Sequence, residues 1–500
     1  MEKNKDRKAS GAKRSRTALC FRIAICGIIV GLVVCGTVIQ TSAVTDAEMV
    51  QEQMEKARIP SVSVGIVEDQ EVTHLSFGEP QTDQTSLYQI GSTTKAYTAL
   101  GVFWLEDEGL LSLDDPVSNY LPWFKMNYEG QEVPEKDLTI ANLIYQISGF
   151  TNEENKYPKA ETGMPLEEHI KSLIGKELVF YPSTDYAYAN TNYNILGLLI
   201  ETVSGKAYPN FMTETILTPL GFANTYPDPK QAANEGEIVS GTRPAFFQTL
   251  SYGVPIVEAA IPAGYIHSNA QDMSRWLQIQ MGSIEVTPQM KRIIQRSHQP
   301  DSLHQVDQET RYAGGWFVAD DQTIYHTGGT ANYSTIVIMK PEADLAVCVL
   351  TNTNASVNTN AIADNVLAIL SGQPAAAYQA DIWVLIDTIF TVVTFCCVSL
   401  IIFLSVWIFR VKKQYREGVR RKSKAGKLRS WWMGIPILLS LLTIAMLIVF
   451  PLAFQIGWEA MTVWAPYSMF TGIASLGVLS GLSLVLVYVV ATYPKQRVVF

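Results

Sequence analysis

Gly91-Ser92-Thr93-Thr94-Lys95-Ala96-Tyr97-Thr98-Ala99-Leu100, preceded by Tyr88-Gln89-Ile90, is the stretch on which the fold turns. A serine and a lysine three residues apart at the head of a helix project onto one face. There the amine can accept the hydroxyl proton, provided that burial keeps it partly neutral. The same four letters also fit a helix N-cap followed by a solvated lysine. A second Ser-x-x-Lys, Ser10 to Lys13, sits in a basic tail without an apolar pattern. The pair needs company before it means chemistry.

Two further motifs follow in order. Tyr188-Ala189-Asn190 runs into Ile195-Leu196-Gly197-Leu198-Leu199-Ile200-Glu201-Thr202-Val203-Ser204-Gly205, an apolar helix closed by a glycine. His326-Thr327-Gly328-Gly329 comes later, after Ile324-Tyr325. The separations are so large that only tertiary folding can assemble one site from them. Taken together the three motifs resemble the class C β-lactamase-like serine hydrolases from about residue 46 to 370, where Ser-x-x-Lys, Tyr-x-Asn and Lys-or-His-x-Gly recur. Pro182-Ser183-Thr184, Leu217-Thr218-Pro219-Leu220-Gly221 and Asp272-Met273-Ser274-Arg275-Trp276-Leu277 also match. One departure is Gln146-Ile147-Ser148-Gly149, where the family commonly has His-Thr-Ser-Gly; it reads as a loop variation.

Charge and hydropathy place this unit outside a membrane. Of 500 residues 48% are hydrophobic, and residues 45–380 hold 18 Lys and Arg against 41 Asp and Glu. Such an acidic region excludes nucleic-acid binding, which needs basic patches. Basic residues gather instead in Lys3–Arg16 and Arg410–Arg429. The first tail precedes a hydrophobic run, Ile23–Ile39, which is either a signal peptide cut near Thr41-Ser42-Ala43 or an uncleaved anchor. Three more runs, near Ile382–Phe409, Gly434–Ile456 and Pro466–Thr492, each reach the roughly 20 apolar residues that span a bilayer. The basic segment between the first two is expected in the cytoplasm, with Lys495 and Arg497, which puts residues 45–380 outside a cytoplasmic or inner membrane. Asp387, only ~9 Å down the first run by helix rise, is expected to reach back to the outer headgroups rather than face the bundle.

The division that results is 1–44, a basic tail with signal or anchor; 45–370, the hydrolase unit; 371–381, a tether; and 382–500, a membrane domain. Of six cysteines only Cys348 belongs to the hydrolase unit, so no disulfide framework is expected there. No His-Glu-x-x-His or paired Cys-x-x-Cys occurs, and no metal or other cofactor is expected. β-rich runs at Ser61–Val67 and Val72–Phe77 are answered late in the unit by Tyr312–Val318, Gln322–Thr327, Ser334–Met339 and Leu345–Leu350. Helical patterns lie between, at Thr94–Glu108, Thr139–Ile147, Tyr193–Val203 and Ala270–Met281, with Asn360–Leu370 closing. The expected fold is α/β (α+β): one antiparallel sheet flanked by helices plus a helical lobe, as in β-lactamases and penicillin-binding proteins, followed by three transmembrane helices.

The resemblance implies the chemistry. Ser92 is the nucleophile and Lys95 its base, with Tyr188 sharing the proton; a core aromatic is the other reading of Tyr188. The amides of Ser92 and Gly329 form the oxyanion hole, and Gly328 lets substrate backbone approach the strand. Asn190 contacts the acyl side, and His326 touches substrate or tunes the site. Three C-terminal membrane helices on such a unit are similar to the peptidases of the colibactin-maturation type, which mature nonribosomal-peptide prodrugs; Ile261-Pro262-Ala263-Gly264-Tyr265-Ile266-His267-Ser268 and Gly315-Trp316-Phe317 carry that match. It implies removal of an N-acyl-D-asparagine cap from a small lipophilic peptide, with His267 and Asn332 joining Asn190 around the side chain, an exporter as partner and lipid around the helices. A D,D-carboxypeptidase, D-aminopeptidase or esterase shares every catalytic residue, and a non-catalytic β-lactam sensor is a third reading. His267 also reads as an ordinary polar loop residue.

Overall fold

Valine, isoleucine and small residues alternate along Ser61–Glu68, and that alternation splits the core in two. The structure, a computed structural model, describes residues 45–78, 81–152, 156–423 and 433–495. The basic tail, the first hydrophobic run with its cleavage site and three cysteines, the segment 424–432 and Arg497 lie outside the described residues. In chain order, helix α1 (Asp46–Ala57) leads into strands β1 (Ser61–Glu68) and β2 (Glu71–Gly78). Helices α2 (Thr94–Asp107), α3 (Asn190–Ser204) and α4 (Ala270–Met281) follow, the first two in the helical lobe. The chain returns to the sheet as β3 (Thr310–Tyr312), β4 (Phe317–Ala319), β5 (Ile324–Gly329), β6 (Ser334–Lys340) and β7 (Leu345–Thr351), then ends the unit with α5 (Ser356–Leu370).

The seven strands lie in the order β2-β1-β7-β6-β5-β4-β3, all antiparallel. The first strand thus pairs with the last, from Val62 opposite Thr351 to Glu68 opposite Leu345. Val62, Val64 and Ile66 point to one face with Ile336, Ile338, Val347 and Val349, where α1 and α5 cover them. Val67, Val337, Met339, Ala346, Cys348 and Leu350 point the other way, into a larger core with α4 and the lobe. Helix α2 is buried on nearly every side, the signature of a helix inside a core rather than on a surface.

Three features differ from expectation. The single strand expected at Tyr312–Val318 is a hairpin, β3 and β4, broken at Gly314-Gly315. Gly315 has φ +80°, and a Cβ there would stand 2.5 Å from Ala96 Cα, so the turn exists to let the sheet touch α2. A second hairpin, Thr242–Ala245 with Gln248–Ser251, gave no periodic signal because its strands are four residues long. The tether 371–381 is no free linker: Asn358 donates to Gln379 O, Tyr378 Oη to Lys56 O, and the Ala376 amide to Asn365 Oδ1.

Helices α6 (Ile382–Arg416), α7 (Gly434–Phe454) and α9 (Tyr467–Thr492) are long and apolar enough to cross a membrane, with a short α8 (Trp458–Trp464) between the last two. Asp387 does not reach for headgroups. It is fully buried, and it accepts the amides of Phe246 (2.8 Å) and Phe247 (3.0 Å), the Ser468 hydroxyl (2.7 Å) and the Arg58 guanidinium (3.1 Å). Phe246 and Phe247 form the two-residue tip of the second hairpin with φ +54° and +63°. A two-residue hairpin turn with both residues in the left-handed region suits Asn-Gly, and bulky residues adopt it at a cost. Here a membrane-helix carboxylate takes both turn amides and stabilises it. On the same hairpin, buried Arg243 donates to the carbonyls of Thr462 (3.0 Å) and Val463 (2.6 Å) at the end of α8, where a cation also suits the helix dipole. Its guanidinium lies between Tyr252 and Tyr467, 3.5 and 4.4 Å from the ring centroids.

Removing one partner of a buried, hydrogen-bonded charge pair leaves the others unpaired. Asp387→Ala should therefore destabilise the solubilised protein by about 3 kcal/mol, more than Arg58→Ala, because two turn amides are orphaned as well. Thermal unfolding in detergent with a double-mutant cycle measures this; equal, additive losses from the two variants would mean that Asp387 is not the hub.

Candidate active site

Gly91–Thr93 form a single 3₁₀ turn that runs straight into α2, so Ser92 and Lys95 stand on its first turns. Ser92 is half-buried while its neighbours are closed in. Lys95 is wholly buried, and Nζ lies 3.0 Å from Ser92 Oγ. The same nitrogen donates to Asn190 Oδ1 at 2.7 Å and to the Ala263 carbonyl at 2.7 Å. Both are acceptors only. Burial without a bonded carboxylate holds the Lys95 amine well below its usual pKa. In its neutral form this amine would have two protons for the two carbonyls and a lone pair for the serine hydroxyl 3.0 Å away.

Tyr188 packs over this amine, its ring centroid 4.9 Å from Nζ. Burial raises the phenol pKa, and the adjacent Ser92 hydroxyl draws it part of the way back. Among the described residues no protein atom completes a well-formed hydrogen bond to the Tyr188 hydroxyl. An aromatic wall fixes the ring: Phe317 stacks on it at 6.3 Å and Tyr312 meets it edge-on at 6.1 Å. Gln146, at φ +61°, braces the loop below. Its Oε1 accepts from the Ala189 amide and from Asn192 Nδ2, and its carbonyl accepts from the Ala187 amide. The residue that reads as a loop variation is the strut under Tyr188 and Asn190.

The amides of Ser92 and Gly329 are brought together by a backbone contact. Gly91 has φ +54°, and a Cβ there would lie 2.5 Å from Gly329 N, while one on Gly328 would lie 3.3 Å from Ser92 N. No side chain fits between the two segments. Strand β4 pairs only with Tyr325 and Ile324, so the His326–Gly329 end of β5 keeps an open edge beside Ser92. That edge can pair an extended substrate, with two amides and the positive end of α2 available to an oxyanion.

The remaining expected residues divide. Asn190 stays in the site; its amide nitrogen donates to Asn152 Oδ1 at 3.0 Å, and the carboxamide face not used by Lys95 is exposed. His326 does not present a free ring nitrogen. Nδ1 donates to the Thr327 carbonyl at 2.6 Å and Nε2 accepts from Tyr312 Oη at 3.3 Å, which fixes a neutral tautomer. Burial above all, with the positive charge of protonated Lys95 adding to it, holds its pKa down at about 3. Both ring nitrogens are thus engaged with the wall. Asn332 is likewise spent, donating to Tyr252 O and accepting from Thr330 Oγ1 under Gly241. His267 is buried on a short strand opposite Gln89, its backbone bonded to Tyr226 in both directions. Burial lowers its pKa to about 4, and no hydrogen bond joins it to Ser92, Lys95, Tyr188 or Asn190 among the described residues. Sequence reasoning missed Gln146, Tyr312, Phe317 and the Ala263 carbonyl. Gln146, Phe317 and Ala263 lie inside stretches the sequence singles out, Gln146-Ile147-Ser148-Gly149, Gly315-Trp316-Phe317 and Ile261–Ser268, whereas Tyr312 shows only as the start of a strand.

This arrangement has known counterparts. The β-lactamase family model matches residues 47–371. The chain is 27% identical over 443 residues to Protein flp of Staphylococcus aureus (strain MRSA252), covering 84% of each chain. It is 28% identical over 303 residues to the D-alanyl-D-alanine-carboxypeptidase/endopeptidase AmpH of Escherichia coli (strain K12), covering 54% of this chain and 71% of that one. Its fold is shared with the octameric penicillin-binding protein homologue from Pyrococcus abyssi, at a TM-score of 0.55 and 23% identity over 69% of this chain and 80% of that chain. The same is true of the D-alanine carboxypeptidase AmpC from Burkholderia cenocepacia, at a TM-score of 0.53 and 21% identity over 64% and 97%. With its three motifs gathered around one buried lysine and its fold matched over most of the hydrolase unit, the chain belongs to the β-lactamase family of serine hydrolases.

Proposed function

We propose that this protein is a membrane-held serine peptidase that works on the outer face of the membrane and opens an amide bond beside a D-amino-acid residue. The observation that carries this reading is the Lys95 amine, desolvated, bonded to two carbonyls and held 3.0 Å from Ser92 Oγ. Ser92 Oγ attacks the substrate carbonyl as its proton passes to Lys95 Nζ. The developing oxyanion lies between the Ser92 and Gly329 amides. The proton is handed through Tyr188 to the leaving nitrogen, the C–N bond breaks and an ester on Ser92 remains. Water, deprotonated by the same pair, then attacks that ester and releases Ser92 and the acid. The cytoplasmic position of the Arg410–Arg429 segment, hence the outer position of the site, rests on the positive-inside rule.

Two substrates divide the finer reading. Removal of an N-acyl-D-asparagine cap from an exported peptide prodrug is supported by the amides of Asn152, Asn190 and Asn194 around a cavity beside Lys95, not by His267 and Asn332. A D,D-carboxypeptidase is the second reading, favoured by the name of the E. coli relative. We favour the first, because amide side chains suit an amide substituent.

Ser92→Ala should abolish labelling by a fluorophosphonate probe, and Lys95→Ala and Tyr188→Phe should each slow it by roughly a hundredfold or more. Persistent labelling of Ser92→Ala would remove the nucleophile assignment. The pH profile tests the base. Activity is present where the amine is neutral and is lost as pH falls through its depressed pKa. Asn190→Asp puts a carboxylate at the amine, favours its charged form and should move the acid limb up by about 1–3 pH units; an unmoved limb would mean that Lys95 is not the titrating base. On substrate, N-acyl-D-asparaginyl amides should be cleaved faster than their L-isomers by roughly two or more powers of ten. Equal rates, or turnover of D-Ala-D-Ala peptides alone, would hand the assignment to the second reading.

A further inference from the structure

Beside Asn190 lies a cavity of about 360 Å³, within the usual range of ligand pockets. The hydrolase unit supplies most of its lining, including Asn152, His169, Asn190, Asn194 and Tyr265. Ile456 and Ala460 complete it, and they belong to the membrane domain, at the turn into α8. Two lining side chains are more than nine-tenths buried yet unsatisfied: Asn194 Oδ1 and His169 Nδ1 have no hydrogen-bond partner among the described residues. Burial lowers the His169 pKa. An unmade bond of this kind is costly, and two on residues lining one cavity suit a polar guest.

The membrane-side wall is fixed, not a chance approach. Arg243 grips the last carbonyls of α8, and Lys159, itself a lining residue, pairs with Glu459 at 3.0 Å, although that exposed pair adds little energy. Helix α8 begins and ends in half-buried tryptophans, Trp458 and Trp464, the residues that settle at the headgroup level of a bilayer. The cavity therefore opens where the membrane surface lies.

We propose that α8 and the turn before it form the outer wall of a substrate subsite, and that the substrate is an amphiphile. Its neutral hydrogen-bonding group sits against Asn194 and His169, and its alkyl chain leaves past Ile456 and Ala460 towards the bilayer. This rests on the serine-hydrolase reading of Ser92 and adds the membrane domain to its specificity. Chain-length selectivity then comes from α8 and the turn before it, not from the sheet.

The test uses the full chain in lipid nanodiscs and a series of alkyl fluorophosphonates, from ethyl to dodecyl, whose rate of Ser92 modification needs no knowledge of the natural substrate. The dodecyl-to-ethyl rate ratio should be high in the parent protein. It should fall roughly tenfold or more in Ala460→Trp and Ile456→Asp, about what two buried methylenes contribute. Leu303→Ala, exposed on the hydrolase unit and outside the cavity lining, should keep the parent ratio. A ratio that is already near one in the parent, or unchanged in both wall variants while Ser92 is still modified, overturns the subsite. Absence of any Ser92 modification in the parent would instead overturn the hydrolase reading on which it rests.

Discussion

An amine removed from water keeps its proton only if its neighbours replace the lost solvation, and around Lys95 the neighbours offer two carbonyl oxygens and no bonded carboxylate. The rest of the cleft is arranged to preserve that imbalance. Helix α2 is buried so that its first turn delivers the amine into a dry space. The Ile261–Gly264 turn supplies one carbonyl, and the start of α3 supplies the other. Tyr188, Tyr312 and Phe317 close the side from which water would otherwise enter. A basic nitrogen and a weakly acidic hydroxyl then need no metal or histidine between them. His326, which occupies a position where other members carry a lysine, is free to be a wall because the site already has its base.

The hairpin Thr242–Ser251 makes the hydrolase unit and the membrane helices one body. Its tip is held by Asp387 on α6, and its first strand holds α8 through Arg243. The tether beneath is pinned by the hydrolase unit's own asparagines. Orientation of the cleft relative to the apolar helices is thereby set by packing and hydrogen bonds, where a flexible stalk would have left it to diffusion.

How much of this was legible beforehand follows from the range of each interaction. Ser92, Lys95, Tyr188 and Asn190 are short motifs whose spacing along one helix or strand is written locally, and the alternating strands Ser61–Glu68 and Leu345–Thr351 declare their two faces in the same way. Helix Ala270–Met281 was readable to the residue because an Asn cap and a glycine stop bracket it. Gln146, Tyr312 and Asp387 act on partners dozens to hundreds of residues away, and no local pattern announces them. Asp387 was misplaced for a physical reason: depth in a helix was computed against lipid, with no knowledge that two strained amides would arrive above it. His267 and Asn332 rest on likeness alone: the Asn332 carboxamide is bonded to Tyr252 and Thr330, whereas His267 Nδ1 is buried with no hydrogen-bond partner among the described residues.

The turn at Phe246-Phe247 has a meaning in time as well as in space. Two aromatic residues with positive φ sit in a conformation that costs on the order of 1–3 kcal/mol each, and the carboxylate that offsets it lies 140 residues further along the chain. At a synthesis rate of about 5–20 residues per second, that carboxylate is made roughly 7–28 seconds after the turn. The partners of Arg243, Thr462 and Val463, and the wall residues Ile456 and Ala460 lie further along still, so the hairpin's bonds and the cavity wall form only once the chain through α8 has been made.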